Sequence, residues 1–372
     1  MIFALVLFFL GLLLVSFGTW LSPFLAFVLY KTTQANIFVQ NYKTSDSLDV
    51  LIPAHSERES LPATIASIQS LHSENVFSKV KVIVALSNWT GPEATKASEK
   101  ADKVFVVNEP GKWKALQRLV QNSTADWIAL VDAGTTWRKD LLTDLQPYFL
   151  EKNIVAINPR YLEIKSGLIQ KIIWSFESFL KQFENQSGGP ISLHGSTIFY
   201  HREELQAAMK FLGETTEWLN DDVVVPLTVR SLFPQQKIVY TRDLAVVDLF
   251  PSSNLSEMKR RKRVLFGNIQ WVKSFLAQLL KFHPVLAILA LRRITRMIWA
   301  WWIILILAGL NLFLIQAEHI SALSLLMVLT LGLALVAIRP SGRRLLEAFW
   351  VSLLMPVYFV SFETDTATLK WK

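Results

Sequence analysis

The chain has 372 residues, of which 52% are hydrophobic, with no cysteine and a formal net charge of +8. This composition is too apolar for an ordinary soluble enzyme, and the lack of cysteine excludes disulfides and thiolate metal sites. The basic residues lie beside apolar segments rather than between aromatic residues, so they favour an anionic membrane surface as partner and argue against a nucleic acid.

An uncharged run opens the chain. Residues 1–30 contain no Asp, Glu, Lys or Arg, and the run is longer than the roughly 20 residues that cross a bilayer as a helix. No basic region precedes it, so we predict a retained anchor over residues 1–30 rather than a cleaved signal. The Ser22-Pro23 pair is expected to kink this helix or to end the span early.

Strand and helix patterns alternate in the middle of the chain. Strands are predicted at 48–53, 80–86, 103–107 and 127–132, helices at 59–71, 92–100 and 112–121, and a further helix starts at Trp137. This succession predicts an α/β domain over residues 48–254 with a mostly parallel, doubly wound sheet. Because ligands bind such sheets at the carboxyl ends of the strands, residues 53–57, residues 87–90 and Asp132 should converge on one crevice.

Three more apolar segments close the chain, at about 297–315, 320–338 and 345–361, and a tail follows at 362–372. If each segment spans a membrane, the segment ends on one side of it are flanked by Lys and Arg, whereas the turn at 316–319, on the other side, contains neither. The flanking basic residues are Lys31, Lys43, Arg292, Arg293, Arg296, Arg339, Arg343 and Arg344. The middle domain is therefore expected to face the cytoplasm. Glu347 and Pro356 leave open that the last segment is re-entrant. Between domain and spans, residues 274–294 predict an interfacial helix interrupted near Pro284.

Four blocks of the middle domain resemble the successive blocks of family 2 glycosyltransferases with the GT-A fold. They are residues 51–57, 82–85, 111–116 and 129–133. Residues 194–197 with 202–205 resemble the acceptor-side block, and residues 219–222 resemble the acidic block that supplies the catalytic base. Residues 260–267 lie where membrane-bound members have a Gln/Arg-x-x-Arg-Trp motif. One anchor with three C-terminal segments is similar to the layout of ceramide glucosyltransferase-like and hopanoid-associated members.

The resemblance implies inverting transfer of a sugar from a nucleotide-sugar donor to a lipid or lipid-linked acceptor, at the cytoplasmic face of a bacterial inner membrane. The apolar and charge patterns divide the rest of the chain into a basic and interfacial region at 255–296 and transmembrane segments at 297–361. The resemblance also implies a divalent cation, Mg²⁺ or Mn²⁺, held by Asp132, and an acceptor side at His194 and Gly195. The donor-binding residues it implies are Pro53, Ala54, His55, Glu57, Ser87, Asn88, Lys112, Asp132, Arg260 and Arg263.

The chemistry of such a transfer needs a base that deprotonates the acceptor hydroxyl and a cationic group that holds the departing diphosphate. Asp222 is the candidate base. Asp221 is the second candidate, and if Asp222 is the base, Asp221 is free to cap a helix. Arg260 and Arg263 share a helix face and can bind phosphate oxygens; the alternative is a basic cluster at the membrane surface. For Lys112 the alternative is a solvated surface lysine.

Three positions depart from the family pattern. Gly134 replaces the second aspartate of Asp-x-Asp, which lowers the expected affinity for a metal ion. Residues 86–90 lack the aspartate with which relatives hold the nucleotide, and Val264 replaces the tryptophan of the later motif. These departures leave two alternatives to a single-addition transferase: a processive polysaccharide synthase or its subunit, and a catalytically degenerate scaffold or binding subunit.

Overall fold

The computed structural model describes residues 1–33, 46–55, 57, 59–71, 76–87, 89, 91–109, 111–163, 168–214, 216–248, 254–317 and 340–361. The predicted segment at 320–338, the tail at 362–372 and the predicted donor residue Asn88 lie outside these residues. The chain forms two compact units, one from Met1–Ala26 with Val272–Glu363 and one from Phe27–Trp271 with Thr364–Lys372.

The second unit is built on one eight-stranded sheet. Its strands in chain order are β1 Ser47–Ala54, β2 Lys79–Ser87, β3 Lys103–Val107, β4 Trp127–Val131, β5 Thr135–Thr136, β6 Ile154–Glu163, β7 Thr197–His201 and β8 Lys237–Asp248. Their order in space is β3-β2-β1-β4-β7-β6-β8-β5. The pairs β1·β2, β1·β4, β2·β3 and β6·β8 are parallel, and β7 runs antiparallel between β4 and β6. The predicted α/β, mostly parallel sheet is confirmed.

Thirteen α-helices are seen in the described parts of the chain. In order they are α1 Ile2–Ser16, α2 Ser22–Thr33, α3 Ser60–Gln69, α4 Pro92–Ser98, α5 Lys112–Gln121, α6 Leu141–Phe149, α7 Leu168–Glu184, α8 Arg202–Leu212, α9 Asp221–Leu232, α10 Asn254–Phe282, α11 Pro284–Met297, α12 Trp299–Gln316 and α13 Pro340–Ser361. A π-helical turn, Phe17–Leu21, joins α1 to α2. The break between α10 and α11 falls at His283, where Pro284 cannot continue the hydrogen-bond pattern.

The central strands are apolar because both faces of the sheet are covered. All residues of β4, and all of β1 after Ser47, are buried, as is typical of parallel strands with helices on both sides. The one charge in this run, Asp49, accepts hydrogen bonds from Ser123 Oγ at 2.6 Å and from the Thr124 N–H at 3.2 Å. The buried carboxylate therefore fixes the turn that leads into β4.

The predicted start of a helix at Trp137 is wrong. After β4, Thr135 and Thr136 pair with β8 instead, and α6 begins only at Leu141. Trp137 is buried and donates from Nε1 to Thr197 Oγ1 at 2.9 Å. Its long-range contact, rather than local helix propensity, decides the backbone at this point.

The first unit is a set of apolar helices. Its helices α1 and α12 approach closely at two glycines, since a Cβ at Gly309 would lie 2.5 Å from the Phe8 nitrogen and one at Gly11 would lie 2.6 Å from Ile306 Cγ1. Small residues at such crossings are typical of helix pairs in membranes. Two helices of the described chain, Ile2–Thr33 and Trp299–Gln316, are long and apolar enough to cross a bilayer, and Leu346–Ser361 is a shorter apolar helix.

Candidate active site

The carboxyl end of β4 holds Asp132 in a tight turn. The Asp132 N–H donates to the Ser196 carbonyl at 3.0 Å, and the Thr135 N–H donates back to the Asp132 carbonyl at 3.1 Å. Gly134 has a φ of 106°, a conformation that glycine adopts without strain, and its N–H donates to Thr64 Oγ1 at 2.8 Å. The backbone of the turn is thus fixed while the Asp132 side chain stays 45% exposed.

Lys112, the first residue of α5, joins the two acidic segments. Its Nζ lies 2.8 Å from Asp132 Oδ1 and 3.0 Å from Asp221 Oδ2. Burial by itself would lower the pKa of the Lys112 ammonium, but the two carboxylates outweigh burial and raise it. The protein that surrounds the inner part of the half-exposed Asp132 carboxyl raises its pKa, as does the Asp221 charge, and the Lys112 and Arg263 charges oppose that rise. Lys112 is therefore a fixed, buried cation and not the solvated surface lysine of the alternative interpretation.

Asp221 and Asp222 occupy the first turn of α9, after Asn220 at the N-cap position. The Asp221 carboxylate faces Lys112, whereas the Asp222 carbonyl accepts the Leu193 N–H at 2.9 Å. A Cβ built on Gly195 would lie 3.6 Å from Asp222 Cβ and 3.7 Å from Asp132 Oδ2. Gly195 therefore lies beside both acidic residues, and it adds no side chain to the space next to them.

Helix α10 docks directly behind the acidic pair. Asn220 Nδ2 donates to the Val264 carbonyl at 3.0 Å and to Asn268 Oδ1 at 3.3 Å. Gly267 gives room for this contact, because a Cβ there would lie 2.4 Å from Asn220 Cγ. The same turn of α10 carries Arg263, whose Nε is buried and has no hydrogen-bond partner in the described part of the chain. The backbone of Arg260 is helical, but its side chain lies outside what the structure describes.

The predicted donor-side residues meet at the ends of β1 and β2. Pro53 and Ala54 close β1 and are buried. His55 Nδ1 lies 2.7 Å from the Ser87 carbonyl and must donate to it, and the His55 N–H donates to Glu57 Oε2 at 2.6 Å. The predicted convergence of residues 53–57 with Ser87 is thus present. Ser87, however, is fully buried, and its hydroxyl donates to the Glu109 carbonyl at 3.2 Å.

His194 lies next to Gly195 in sequence, but its ring turns into an aromatic cluster. The ring centroid is 5.5 Å from that of Tyr240 in a stacked arrangement and 5.2 Å from that of Trp174. Burial, together with the nearby Lys181 and Arg160 charges, lowers the pKa of His194 well below its usual value. Its Nε2 is buried without a partner among the described residues. His194 is therefore neutral at physiological pH and separate from the His55 cluster.

Sequence reasoning missed Glu217. Its Oε1 accepts the Trp113 N–H at 3.4 Å, and a Cβ on Gly111, which has a φ of 132°, would lie 2.5 Å from the same oxygen. The Glu217 carbonyl in turn accepts from Gln270 Nε2 at 2.9 Å. Glu217 thus connects the start of α5 to α10. No periodicity or motif marks the loop in which it lies.

A divalent cation fits these residues in one way. Within the described ranges, no group of three or more His, Cys, Asp or Glu side chains comes together. Asp132 nevertheless offers a half-exposed carboxylate, and Mg²⁺ is commonly held by one or two carboxylates together with substrate phosphates and water. The residues present suit a cation that arrives with a diphosphate, rather than one held by the protein alone.

Comparison with known proteins bears on the same region. Residues 49–206 match the family model of glycosyl transferase family 2. The chain is similar to the mannosyltransferase PcManGT from Pyrobaculum calidifontis, solved with GDP-Man and Mn²⁺, with a TM-score of 0.65 and 16% identity over 95% of this chain and 99% of that chain. At this identity the similarity shows a shared fold.

Two further solved structures cover less of the chain. Mannosyl-3-phosphoglycerate synthase from Rubrobacter xylanophilus gives a TM-score of 0.44 at 14% identity, over 61% of this chain and 74% of that chain. Glucosyl-3-phosphoglycerate synthase from Mycobacterium tuberculosis, solved with Mn²⁺, UDP and phosphoglyceric acid, gives 0.41 at 15% identity, over 60% and 78%.

Proposed function

We propose that this chain, which carries a glycosyltransferase domain of family 2, transfers one sugar from a nucleoside-diphosphate sugar to a lipid or lipid-linked acceptor at the cytoplasmic face of a membrane. The predicted glycosyltransferase activity is supported by the family match over residues 49–206, and the mostly parallel α/β sheet is like that of the GT-A fold. The acceptor, the membrane location, the cation and the individual site residues belong to the proposal.

The observation that carries the proposal is the buried Lys112 ammonium held between Asp132 and Asp221, at 2.8 and 3.0 Å. Its charge is balanced by the two carboxylates in this structure, so Lys112 would bind a diphosphate by exchanging one of these contacts for a phosphate oxygen at the carboxyl edge of the sheet. Arg263 adds a second positive charge near Asp132. The two cations together suit a diphosphate.

In the proposed reaction, Asp222 accepts the proton of the acceptor hydroxyl. The hydroxyl oxygen forms a bond to the anomeric carbon of the sugar, and the bond from that carbon to the diphosphate oxygen breaks. The nucleoside diphosphate leaves with the bonding electron pair, and Lys112 and Arg263 stabilise its added negative charge. Attack from the face opposite the leaving group inverts the anomeric centre, as the family resemblance implies.

A divalent cation bound with the donor would neutralise further phosphate charge, and Asp132 is the residue proposed to hold it. PcManGT, which shares the fold, was solved with Mn²⁺ alongside GDP-Man. The missing second aspartate, at Gly134, is expected to make cation binding depend on the donor diphosphate.

Support for a membrane acceptor comes from the first unit. The two helices Ile2–Thr33 and Trp299–Gln316 are each long and apolar enough to span a bilayer. Helix α10 is continuous from the acidic pair to residue 282, after which the described chain consists largely of apolar helices. An enzyme anchored by such helices would work at a membrane surface, where the hydroxyl of an amphiphilic acceptor is concentrated.

The test is the Asp222→Asn variant. It keeps the shape of the side chain but lacks a base, so we expect transfer to fall by roughly 10²-fold or more, within the range ascribed to general base catalysis. Binding of the nucleotide sugar, measured by calorimetry, should stay close to that of the unchanged protein. Normal transfer by Asp222→Asn would show that another group is the base, and Asp221→Asn would be measured next.

A further inference from the structure

Helix α7 has two faces of opposite character. Trp174 and Ser178, four residues apart, lie on the face that packs on the sheet: Trp174 contacts His194, and Ser178 Oγ accepts the Tyr240 hydroxyl at 2.9 Å. The opposite face carries Ile172, Phe176 and Phe179, whose side chains are 61%, 44% and 50% exposed. Three large apolar side chains on one helix stripe are more than the scattered exposure normal for a protein surface.

The apolar stripe continues into the N-terminal helix. The next residue of the apolar stripe along α7 is Phe183. Its ring packs edge-to-face on the ring of Phe27 in α2, with ring centroids 5.9 Å apart. Phe27 lies within Ile2–Thr33, the helix long and apolar enough to cross a membrane. Near the junction, Tyr30 lies against Gly188, just after the end of α7. The exposed stripe is therefore continuous with a segment that itself suits lipid.

Basic residues border this junction. The Lys31 ammonium lies 5.9 Å from the centre of the Phe27 ring, and Lys171 is exposed at the start of the described side chains of α7. Lys181 instead belongs to the inner face, where its ammonium lies 5.8 Å from the centre of the Tyr240 ring. Lysine beside exposed aliphatic and aromatic side chains on an amphipathic helix matches the headgroup region of a bilayer, where the apolar face enters the acyl boundary and the cations meet phosphates.

We propose that the outer face of α7, formed by Ile172, Phe176 and Phe179, binds the surface of the lipid bilayer. The inner face of the same helix packs on His194, the neighbour of Gly195 at the acidic pair. A membrane-seated α7 thus brings the bilayer surface next to the acceptor side of the site. This inference rests on the proposed function for the identity of the acceptor, but not for the lipid contact itself.

The experiment uses the absence of native cysteine. The full chain carrying Phe176→Cys, or Ile172→Cys as a second site, is labelled with an environment-sensitive fluorophore and reconstituted into vesicles of phosphatidylcholine and phosphatidylglycerol. The matched control is Phe211→Cys, since Phe211 is 52% exposed and lies on a different helix, α8. Fluorescence is quenched either by spin-labelled lipid or by aqueous iodide.

We expect spin-labelled lipid to quench the labels at positions 176 and 172 and to place them about 5–10 Å into the headgroup and acyl boundary. The label at position 211 should respond to iodide alone. Iodide quenching at 176 and 172 equal to that at 211 would overturn the proposal, because the face would then be in water. Weak quenching of the labels at 176 and 172 by both reagents would also overturn the proposal, because other parts of the protein would then cover this face.

A second arm separates this proposal from the proposed function. Phe176→Asp should lower transfer to a vesicle-embedded acceptor by roughly tenfold, through a weaker apolar contact, and should leave calorimetric donor binding unchanged; Phe211→Asp should change neither. Lipid quenching at position 176 without any donor binding would uphold the lipid-binding face and contradict the proposed function. Full transfer by Phe176→Asp would contradict the role of the face in acceptor access.

Discussion

Lys112 is bound to two carboxylates that come from distant parts of the chain. Each N⁺–H···O⁻ contact is short, and the lysine side chain is only 19% exposed. The ammonium needs nearby negative charge, because an unpaired and largely buried ammonium is costly. A donor diphosphate supplies replacement negative charge. The expected consequence is that the donor enters by taking over part of the Lys112 pairing from Asp132 or Asp221.

The lowered pKa of His194 predicts that the stability of the protein depends on pH. The His194 pKa in the folded protein lies well below 6.5 because of burial and two nearby cations, so the unfolded chain binds more protons as the pH falls below about 6.5. Stability should therefore be full above that pH and should decrease towards lower pH. The thermal midpoint of the protein in detergent, measured at about pH 7.5 and 5.5, should fall by several degrees.

The matched variant is His194→Phe, which keeps an aromatic ring against Tyr240 and Trp174 but cannot be protonated. Its thermal midpoint should decrease less over the same pH interval. An equal decrease in both proteins would mean that His194 takes a proton in the folded state without cost, contrary to its burial among rings and cations.

At the scale of elements, the contact between α9 and α10 positions the acidic pair. Asn220 precedes Asp221 and donates hydrogen bonds to Val264 and Asn268 of α10. The Asn220 side chain fills the space that Gly267 leaves free. The start of α9 and the Arg263 turn of α10 are therefore set by one packed contact. A change in this contact should alter catalysis without removing any residue that touches substrate.

Gly267→Ala tests this contact. The added methyl group would lie 2.4 Å from Asn220 Cγ, so the Asn220 side chain or α10 must shift. We expect kcat to fall by roughly tenfold, in line with the large effect of small displacements on catalytic geometry, while the donor KM changes little. Gln278→Ala, at an exposed position on the same helix, is the control. Unchanged kcat in Gly267→Ala would show that the contact does not position the site.

The elements that sequence patterns predict best are those whose pattern is local. The predicted strands at 48–53, 80–86, 103–107 and 127–132 correspond to β1–β4, and the predicted helices at 59–71, 92–100 and 112–121 correspond to α3–α5. No strand was predicted after residue 132. Strand β7 lies between β4 and β6 through pairings such as Leu130 with Ile198, and no local periodicity encodes such distant partners.

In the whole molecule, the distinction between local patterns and contacts of distant residues applies to the site as well. Lys112, Asp132, Asp221, Asp222 and Arg263 were each singled out from motifs, and the fold brings the first three into direct contact. That Lys112 would contact Asp221, 109 positions away, depends on the packing of α5 against the loop before α9. Glu217, Asn220 and Gln270 hold that packing, and their significance appears only in three dimensions.

The chain contains two units with different chemistry. The sheet unit contains the Lys112 ion pairs and the candidate base Asp222, and the helical unit contains the apolar helices. The predicted domain boundaries and the number of transmembrane segments stay predictions. The proposed function requires both donor binding and membrane attachment. Of these two requirements, only donor binding distinguishes it from the scaffold alternative.

The most direct test is calorimetric titration of the full chain with GDP-mannose and with UDP-glucose, each with and without Mn²⁺. We expect binding of one donor, stronger with Mn²⁺, and a loss of roughly tenfold to a hundredfold in affinity for Lys112→Ala. Lys114→Ala is the matched control, because its Nζ pairs with Glu109 at 3.8 Å, outside the acidic cluster. No binding of either donor, or equal affinity of Lys112→Ala and the unchanged protein, would contradict the account.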